Sequence, residues 1–228
     1  MNTPLLPDLN TEFKPLAVWR AYVPLALRTE PKLKDLQLWW GVQTDTLGIA
    51  QHVVDVHGGD NVAQAWTRML HATVGLSTET FELQDCSSEE NFLEECGDVA
   101  WYAAQAFVAL ELLAPLHSQE LVWCTEDLQA RPIMAAYELI KSLKSFVQDA
   151  KRVVFYRRAD LLPRLSSKLM DILLCLNVVG EQNAQVRDFE GLLESNVSKL
   201  QKRYPEGYSD WHARAREDKA PGDDDVDA

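Results

Sequence analysis

The chain has 228 residues, 46% of them hydrophobic and 25% charged, with ten glycines and ten prolines. That is enough to bury a substantial core as one large domain or two small ones, and so little glycine and proline suits a helical globular protein. A formal net charge of −13 argues against a nucleic-acid backbone as partner, so any phosphate ligand must be received by local cations or by a metal.

The opening Met1-Asn2-Thr3-Pro4-Leu5-Leu6-Pro7 lacks the basic start and long apolar run of a secretory leader. The four cysteines, Cys86, Cys96, Cys124 and Cys175, form no C-x-x-C pair, and the expectation is reduced thiols in a cytoplasm, that of the host if the chain is viral. Pro15, Pro24 and Pro31 cut the N-terminal part into short pieces. A helix over 36–57 follows and stops at Gly58-Gly59, so residues 1–57 read as an N-terminal helical extension. Asp60 caps a helix running to about Gln84. Cys86-Ser87-Ser88-Glu89-Glu90 is a tight break, with Ser87 as N-cap and Glu90 as its capping-box partner. The next helix spans 88–115; its apolar run from Val99 to Leu116 contains Gln105 and Glu111 and reads as a core helix, giving no membrane span. After a connector over 117–131 come helices over 132–156, 161–180 and 184–203, the last stopped before Pro205. The acidic stretch over 217–228, with Asp223, Asp224, Asp225 and Asp227, reads as a disordered, solubilising tail. No segment alternates as a strand does, so the fold class is all-α.

Glu79-Thr80-Phe81-Glu82 and Glu95-Cys96-Gly97-Asp98 are two acid pairs at i, i+3 within otherwise apolar helical sequence. Residues three apart share a helix face. One pair lies one to two turns before the break and the other two to three turns after it, so an antiparallel hairpin brings them to a similar depth. Four converging carboxylates repel one another unless a cation sits between them, and hard oxygen donors suit Mg²⁺, with Mn²⁺ as the alternative. With 35 acids in the chain, such pairs also arise by chance on solvated faces, as Glu111, Glu120, Glu126 and Glu138 illustrate.

The segments Leu70 to Asp85 and Glu94 to Tyr102 resemble the MazG-like, all-α nucleoside triphosphate pyrophosphohydrolase family, whose signature is E-x-x-E, a spacer, then E-x-x-D. A second block, Asn196-Val197-Ser198-Lys199-Leu200-Gln201-Lys202-Arg203-Tyr204-Pro205-Glu206-Gly207-Tyr208-Ser209, is similar to the N-x-x-K-L-x-x-R-Y-P-x-G-F-S segment closing many phage and bacterial members. The resemblance covers roughly residues 60–110 and 140–216, and so implies a domain over 58–216. It implies a helical bundle of the all-α NTP pyrophosphatase type. The implied reaction is Mg²⁺-dependent hydrolysis of a (deoxy)nucleoside triphosphate to the monophosphate and pyrophosphate, serving nucleotide-pool control or phage nucleotide metabolism. In that reading Glu79, Glu82, Glu95 and Asp98 hold the metal, while one of them, with Glu82 the first candidate, orients or deprotonates the attacking water.

Asn196, Lys199 and Arg203 share one helix face and are the candidate phosphate and substrate ligands, with a solvated amphipathic face as the alternative. Lys151 is a weaker phosphate candidate, through its similarity to a K…F-Y element in the family. Tyr102, four residues beyond Asp98, is the candidate for stacking on the base, with Trp101, Trp39, Trp40 and Trp66 as others. His71 lies two turns before Glu79 and reads by default as a satisfied, partly buried histidine.

A further pattern links the hairpin over 60–115 to that over 132–180. In one register Asp149 falls on Asp85 and Asp171 on Asp98, while Leu143, Phe146 and Lys168 fall on the other acid positions. This suggests a degenerate internal duplication whose second copy lost its metal ligands, like the active and decayed halves of the related dimeric dUTPases. A homodimer stays open. Carboxylate-bridged di-iron bundles use Glu-x-x-His, and none of the five histidines has an acid three residues before it. The alternative function is a non-catalytic helical interaction or regulatory protein that retains the fold.

Overall fold

The structure, a computed structural model, describes residues 14–30, 60–113, 132–156 and 158–209. The predicted helix over 36–57, the connector, Cys124, Trp39, Trp40 and the acidic tail lie outside the described residues. Among those described, every regular element is helical: α1 (Lys14–Leu27), α2 (Asp60–Asp85), α3 (Glu89–Leu113), α4 (Pro132–Tyr156), a short 3₁₀ turn (Ala159–Leu161), α5 (Leu162–Gln182) and α6 (Phe189–Arg203). None is long and apolar enough to cross a membrane.

Two helical hairpins form the centre. α2 folds back on α3 and α4 on α5, while α2 packs against α4 and α3 against α5, closing a four-helix bundle. Asn183, just past α5, donates through Nδ2 to Glu89 Oε1 at the start of α3 (2.5 Å), so α3 and α5 run antiparallel. The interior is filled by Met69 and Leu76 of α2, Leu110 of α3, Leu139, Leu143 and Phe146 of α4, and Leu165, Leu169, Ile172 and Leu176 of α5, all fully buried. α1 and α6 pack on each other and on α3, and α6 also packs on α5.

Three local expectations are corrected. Pro24 does not end the N-terminal helix but sits inside α1. Trp19, Tyr22, Val23 and Ala26, at i, i+3, i+4 and i+7, are all buried, and this stripe holds the helix on the core. Pro24 lies on the exposed side of the helix, away from that stripe. The cap of α3 is Ser88 rather than Ser87, since Ser88 Oγ accepts from the Asn91 N–H at 3.1 Å. α6 begins at Phe189, five residues after the predicted start. Asn183 Oδ1 accepts from the Gln185 and Val186 N–H groups, Arg187 takes a φ of +71°, and Asp188 Oδ1 caps Gly191 N–H at 2.9 Å. Those side-chain bonds give the backbone an alternative to a helix over 184–188.

The two hairpin helices carrying the acid pairs approach closely because Gly75 of α2 has no side chain. The Tyr102 ring of α3 lies against its backbone, and a β-carbon there would collide with that ring. Trp19 anchors α1, stacking on Phe189 at a 6.4 Å centroid separation and meeting Phe107 edge-on at 6.3 Å. Trp19→Ala is expected to destabilise the whole domain by about 3–5 kcal/mol, seen as one shifted, still cooperative urea transition. A loss under about 1 kcal/mol would mean that α1 is an independent appendage.

Candidate metal centre

α2 carries Glu79 and Glu82 and α3 carries Glu95 and Asp98, each pair on the face turned to the other helix. Carboxylate oxygens of Glu79, Glu82 and Glu95 lie within 4.8 Å of one another. Their burial is graded: Glu79 is 6% exposed, Glu95 half-buried and Glu82 open to solvent, so the cluster runs from the bundle interior to its surface.

Glu79 carries the chemistry. Its Oε2 is buried and no N–H or hydroxyl donor reaches it, its Oε1 meets the Thr78 hydroxyl at a long 3.4 Å, and its other hydrogen-bonding neighbour is the carboxyl of Glu95. Burial, then the neighbouring charges of Asp98, Glu82 and Glu95, push its pKa from 4.5 up to about 9. Glu95 is pushed up to about 7, first by burial and then by Asp98 and Glu82, with Lys199 pulling the other way. Asn91 Nδ2 donates to Glu95 Oε1 at 3.0 Å and steadies it. An inward-facing oxygen without a donor, beside two more carboxylates, is an all-oxygen set suited to a hard divalent cation such as Mg²⁺ or Mn²⁺.

Asp98 stands beside this trio, compensated by other means. Both its oxygens accept from Lys199 Nζ at 2.5 Å, and Oδ1 also accepts from Asn196 Nδ2 at 3.0 Å. Burial alone would lower the Lys199 pKa, but the Asp98 carboxylate outweighs it and the ammonium is held more firmly than usual. Lys199 also reaches Glu94 at 3.3 Å. Asn196 can come so near because Gly97 leaves room: a β-carbon at Gly97 would sit 3.0 Å from the Asn196 side chain. Arg203 follows Lys199 by one turn, partly buried, and its positive charge is felt at the Lys199 ammonium. Beside Lys199, a groove of about 950 Å³ opens between α3, α6 and the turn before α6, bordered by Glu94, Arg187, Asn196 and Lys202.

Tyr102 lies at the inner wall of the cluster. Its hydroxyl pKa is raised first by burial and then by the charges of Glu79, Asp98 and Glu82. Trp101, by contrast, is a fastening: its Nε1 donates to Ala26 O and Thr29 Oγ1, both at 3.0 Å, tying α3 to the end of α1. His71 is satisfied by Gln105 Oε1 at 2.6 Å and packed edge-on against Trp101 and Tyr102, with its pKa lowered chiefly by burial. Trp66 is partly buried against the core. Lys151 lies on the exposed side of α4, nearer the tip of the second hairpin than that of the first, and among the described residues no hydrogen bond or ion pair joins it to the four acids.

One residue of the site escaped the sequence. Tyr22 of α1 is 3% exposed and donates its hydroxyl to Asn196 Oδ1 at 2.8 Å. It belongs to an ordinary buried stripe, and nothing in the local sequence signals that its oxygen meets a side chain 174 positions away.

No family model matches the chain, and neither a curated protein nor a solved structure is significantly similar to it.

The sign of the metal-free pH dependence follows from Glu79. Its folded pKa of about 9 exceeds the ordinary 4.5, so the folded state binds this proton more tightly than the unfolded chain does. The resulting stability is complete below pH 4.5 and is lost as pH rises through about 9. The thermal midpoint of chelator-treated protein should therefore fall across that window. Glu79→Gln, which cannot ionise, should flatten most of the fall; a wild-type midpoint that climbs with pH would contradict this assignment.

Proposed function

We propose that this chain is a Mg²⁺-dependent nucleoside triphosphate pyrophosphohydrolase of the MazG-like, all-α type. The observation that carries the reading is the buried Oε2 of Glu79, without an N–H or hydroxyl donor, in a carboxylate gathered with Glu82 of its own helix and Glu95 across the hairpin while Lys199 and Asn196 secure Asp98 alongside. Glu79, Glu82, Glu95 and Asp98 would hold the metal, which supplies charge neutralisation and Lewis-acid activation of water.

The remaining work falls to the chain's own groups. Lys199 and Arg203, on one face of α6, receive phosphate oxygens as point charge and planar fork respectively. Asn196 keeps Asp98 oriented. Glu82, the most exposed carboxylate of the trio, accepts the proton of the attacking water at a side-chain oxygen. Water oxygen bonds to phosphorus at the α–β bridge, that P–O bond breaks, and monophosphate and pyrophosphate leave. Tyr102 offers an aromatic wall at the inner edge of the cluster.

The second hairpin is a decayed copy of the first. α4 and α5 repeat the lengths of α2 and α3 to within a few residues, and first helix packs on first helix, second on second. In the sequence register that sets Asp149 on Asp85, Leu143 and Phe146 stand at the positions of Glu79 and Glu82, both fully buried in the core. At those matching Glu95 and Asp98, Lys168 and Asp171 neutralise each other at 2.8 Å. Among the described residues, apolar packing and an internal ion pair stand in that half where the first hairpin gathers its acids.

The reading is tested by a pyrophosphate-release screen over all dNTPs and NTPs, including dUTP and modified bases, with Mg²⁺ present. At least one nucleotide should give stoichiometric monophosphate and pyrophosphate, and Glu79→Gln should lower the rate by about 100-fold or more. If metal binds but no nucleotide releases pyrophosphate, a metal-stabilised, non-catalytic scaffold replaces the enzyme.

A further inference from the structure

Helix α1 lies outside both sequence blocks that resemble the hydrolase family, yet it reaches the candidate centre. Tyr22 is buried, so its hydroxyl needs a partner inside the protein, and Asn196 Oδ1 takes that proton at 2.8 Å. Asn196 is itself only 3% exposed, and its amide has two unlike ends. With Oδ1 occupied by the Tyr22 hydroxyl, Nδ2 is directed at Asp98 Oδ1, 3.0 Å away. Turned over, the amide would set its carbonyl oxygen against the Asp98 carboxylate, acceptor against acceptor. Tyr22 and Asp98 thus jointly select one orientation.

The other partner of Asp98 is Lys199, a single charge on a flexible stem that also serves Glu94. It neutralises Asp98 by meeting both carboxylate oxygens alike. The amide of Asn196 adds a directed contact to Oδ1, and the Tyr22 hydroxyl of α1 sets which end of that amide Asp98 meets. That helix is itself fastened at its C-terminal end by two independent links. Trp101 Nε1 binds Ala26 O and Thr29 Oγ1, and Arg68 grips Glu30 through two bonds of 2.8 Å.

We infer that Tyr22 is a positioning residue of the metal centre: through Asn196 it sets the direction in which the Asp98 carboxylate faces Glu79, Glu82 and Glu95. The inference rests on the metal-dependent reading proposed above and adds to it a part of the chain that the family resemblance does not reach. It makes the N-terminal helix a component of the site rather than a cover over it.

The test is Mn²⁺ affinity by isothermal titration on wild type, Tyr22→Phe, Asn196→Ala and the double variant. Tyr22→Phe keeps the ring and its packing on Trp19 and loses only the hydroxyl. It should weaken Mn²⁺ binding about tenfold, the lower range for loss of an outer partner of a metal ligand. Asn196→Ala should weaken it at least as much, and the double variant no further, because Tyr22 acts only through Asn196. Glu30→Gln, which loosens α1 from Arg68 without touching this chain of bonds, should lower the thermal midpoint and leave Mn²⁺ affinity unchanged. Should Asn196→Ala fail to fold, Asn196→Leu keeps the volume and serves instead. Equal affinity in wild type and Tyr22→Phe, effects that multiply in the double variant, or a matching loss in Glu30→Gln would overturn the positioning role alone. A wild type that binds no Mn²⁺ would overturn the metal-dependent function and this role with it.

Discussion

A carboxylate oxygen buried without a donor is among the costlier things a folded chain can hold, and Glu79 holds one beside two further acids. Four acids stand at this place in two neighbouring helices, and they are not treated alike. Asp98 has an ammonium on both oxygens and an amide on one. Beyond the other carboxyls, Glu95 has an amide from Asn91 and Glu79 a distant hydroxyl. A protein that merely tolerated acidic residues would turn them to solvent or pair each with a cation, as it does with Arg158 and Asp160 on its surface. The inner acids here are left to one another, which makes protonation or a bound cation the ways to settle the charge.

The rest of the architecture serves that arrangement. Gly75 lets Tyr102 lie on α2 and draws the two acid-bearing helices together, and Gly97 admits Asn196 to Asp98. The second hairpin supplies the opposing half of the bundle, with Leu143 and Phe146 in the core and the buried Asp149 neutralised by Arg152 at 3.3 Å and Arg164 at 2.7 Å. Two hairpins of like length thus do different work. One buries uncompensated charge, and the other compensates what charge it buries.

The helical course of the chain was largely legible in its pattern, because apolar periodicity and proline or glycine stops act locally. α4 matches its predicted limits, and α2 and α3 do so to within a residue or two. What failed were boundaries settled by side-chain bonds. Ser88 rather than its neighbour caps α3, and the Asn183 and Asp188 bonds postpone α6 to Phe189. The acid trio could be found because i, i+3 spacing converts directly into a shared face. Its grading from buried Glu79 to exposed Glu82 could not, since depth depends on how the hairpin sits in the bundle. Tyr22 was invisible for the same reason: a hydroxyl at the edge of an apolar stripe looks like packing until a distant amide is found above it. Lys151 resembles part of a short family motif, and the fold sets it on the exposed side of α4.

The central proposal is that Glu79, Glu82 and Glu95, with Asp98 beside them, hold a divalent ion. Crystals soaked in Mn²⁺ and measured at the manganese absorption edge test it most directly. The account predicts an anomalous peak between Glu79, Glu82 and Glu95, with their oxygens about 2.0–2.3 Å from the ion, and its loss in Glu79→Gln. No peak there, or peaks confined to surface acids elsewhere, would contradict it.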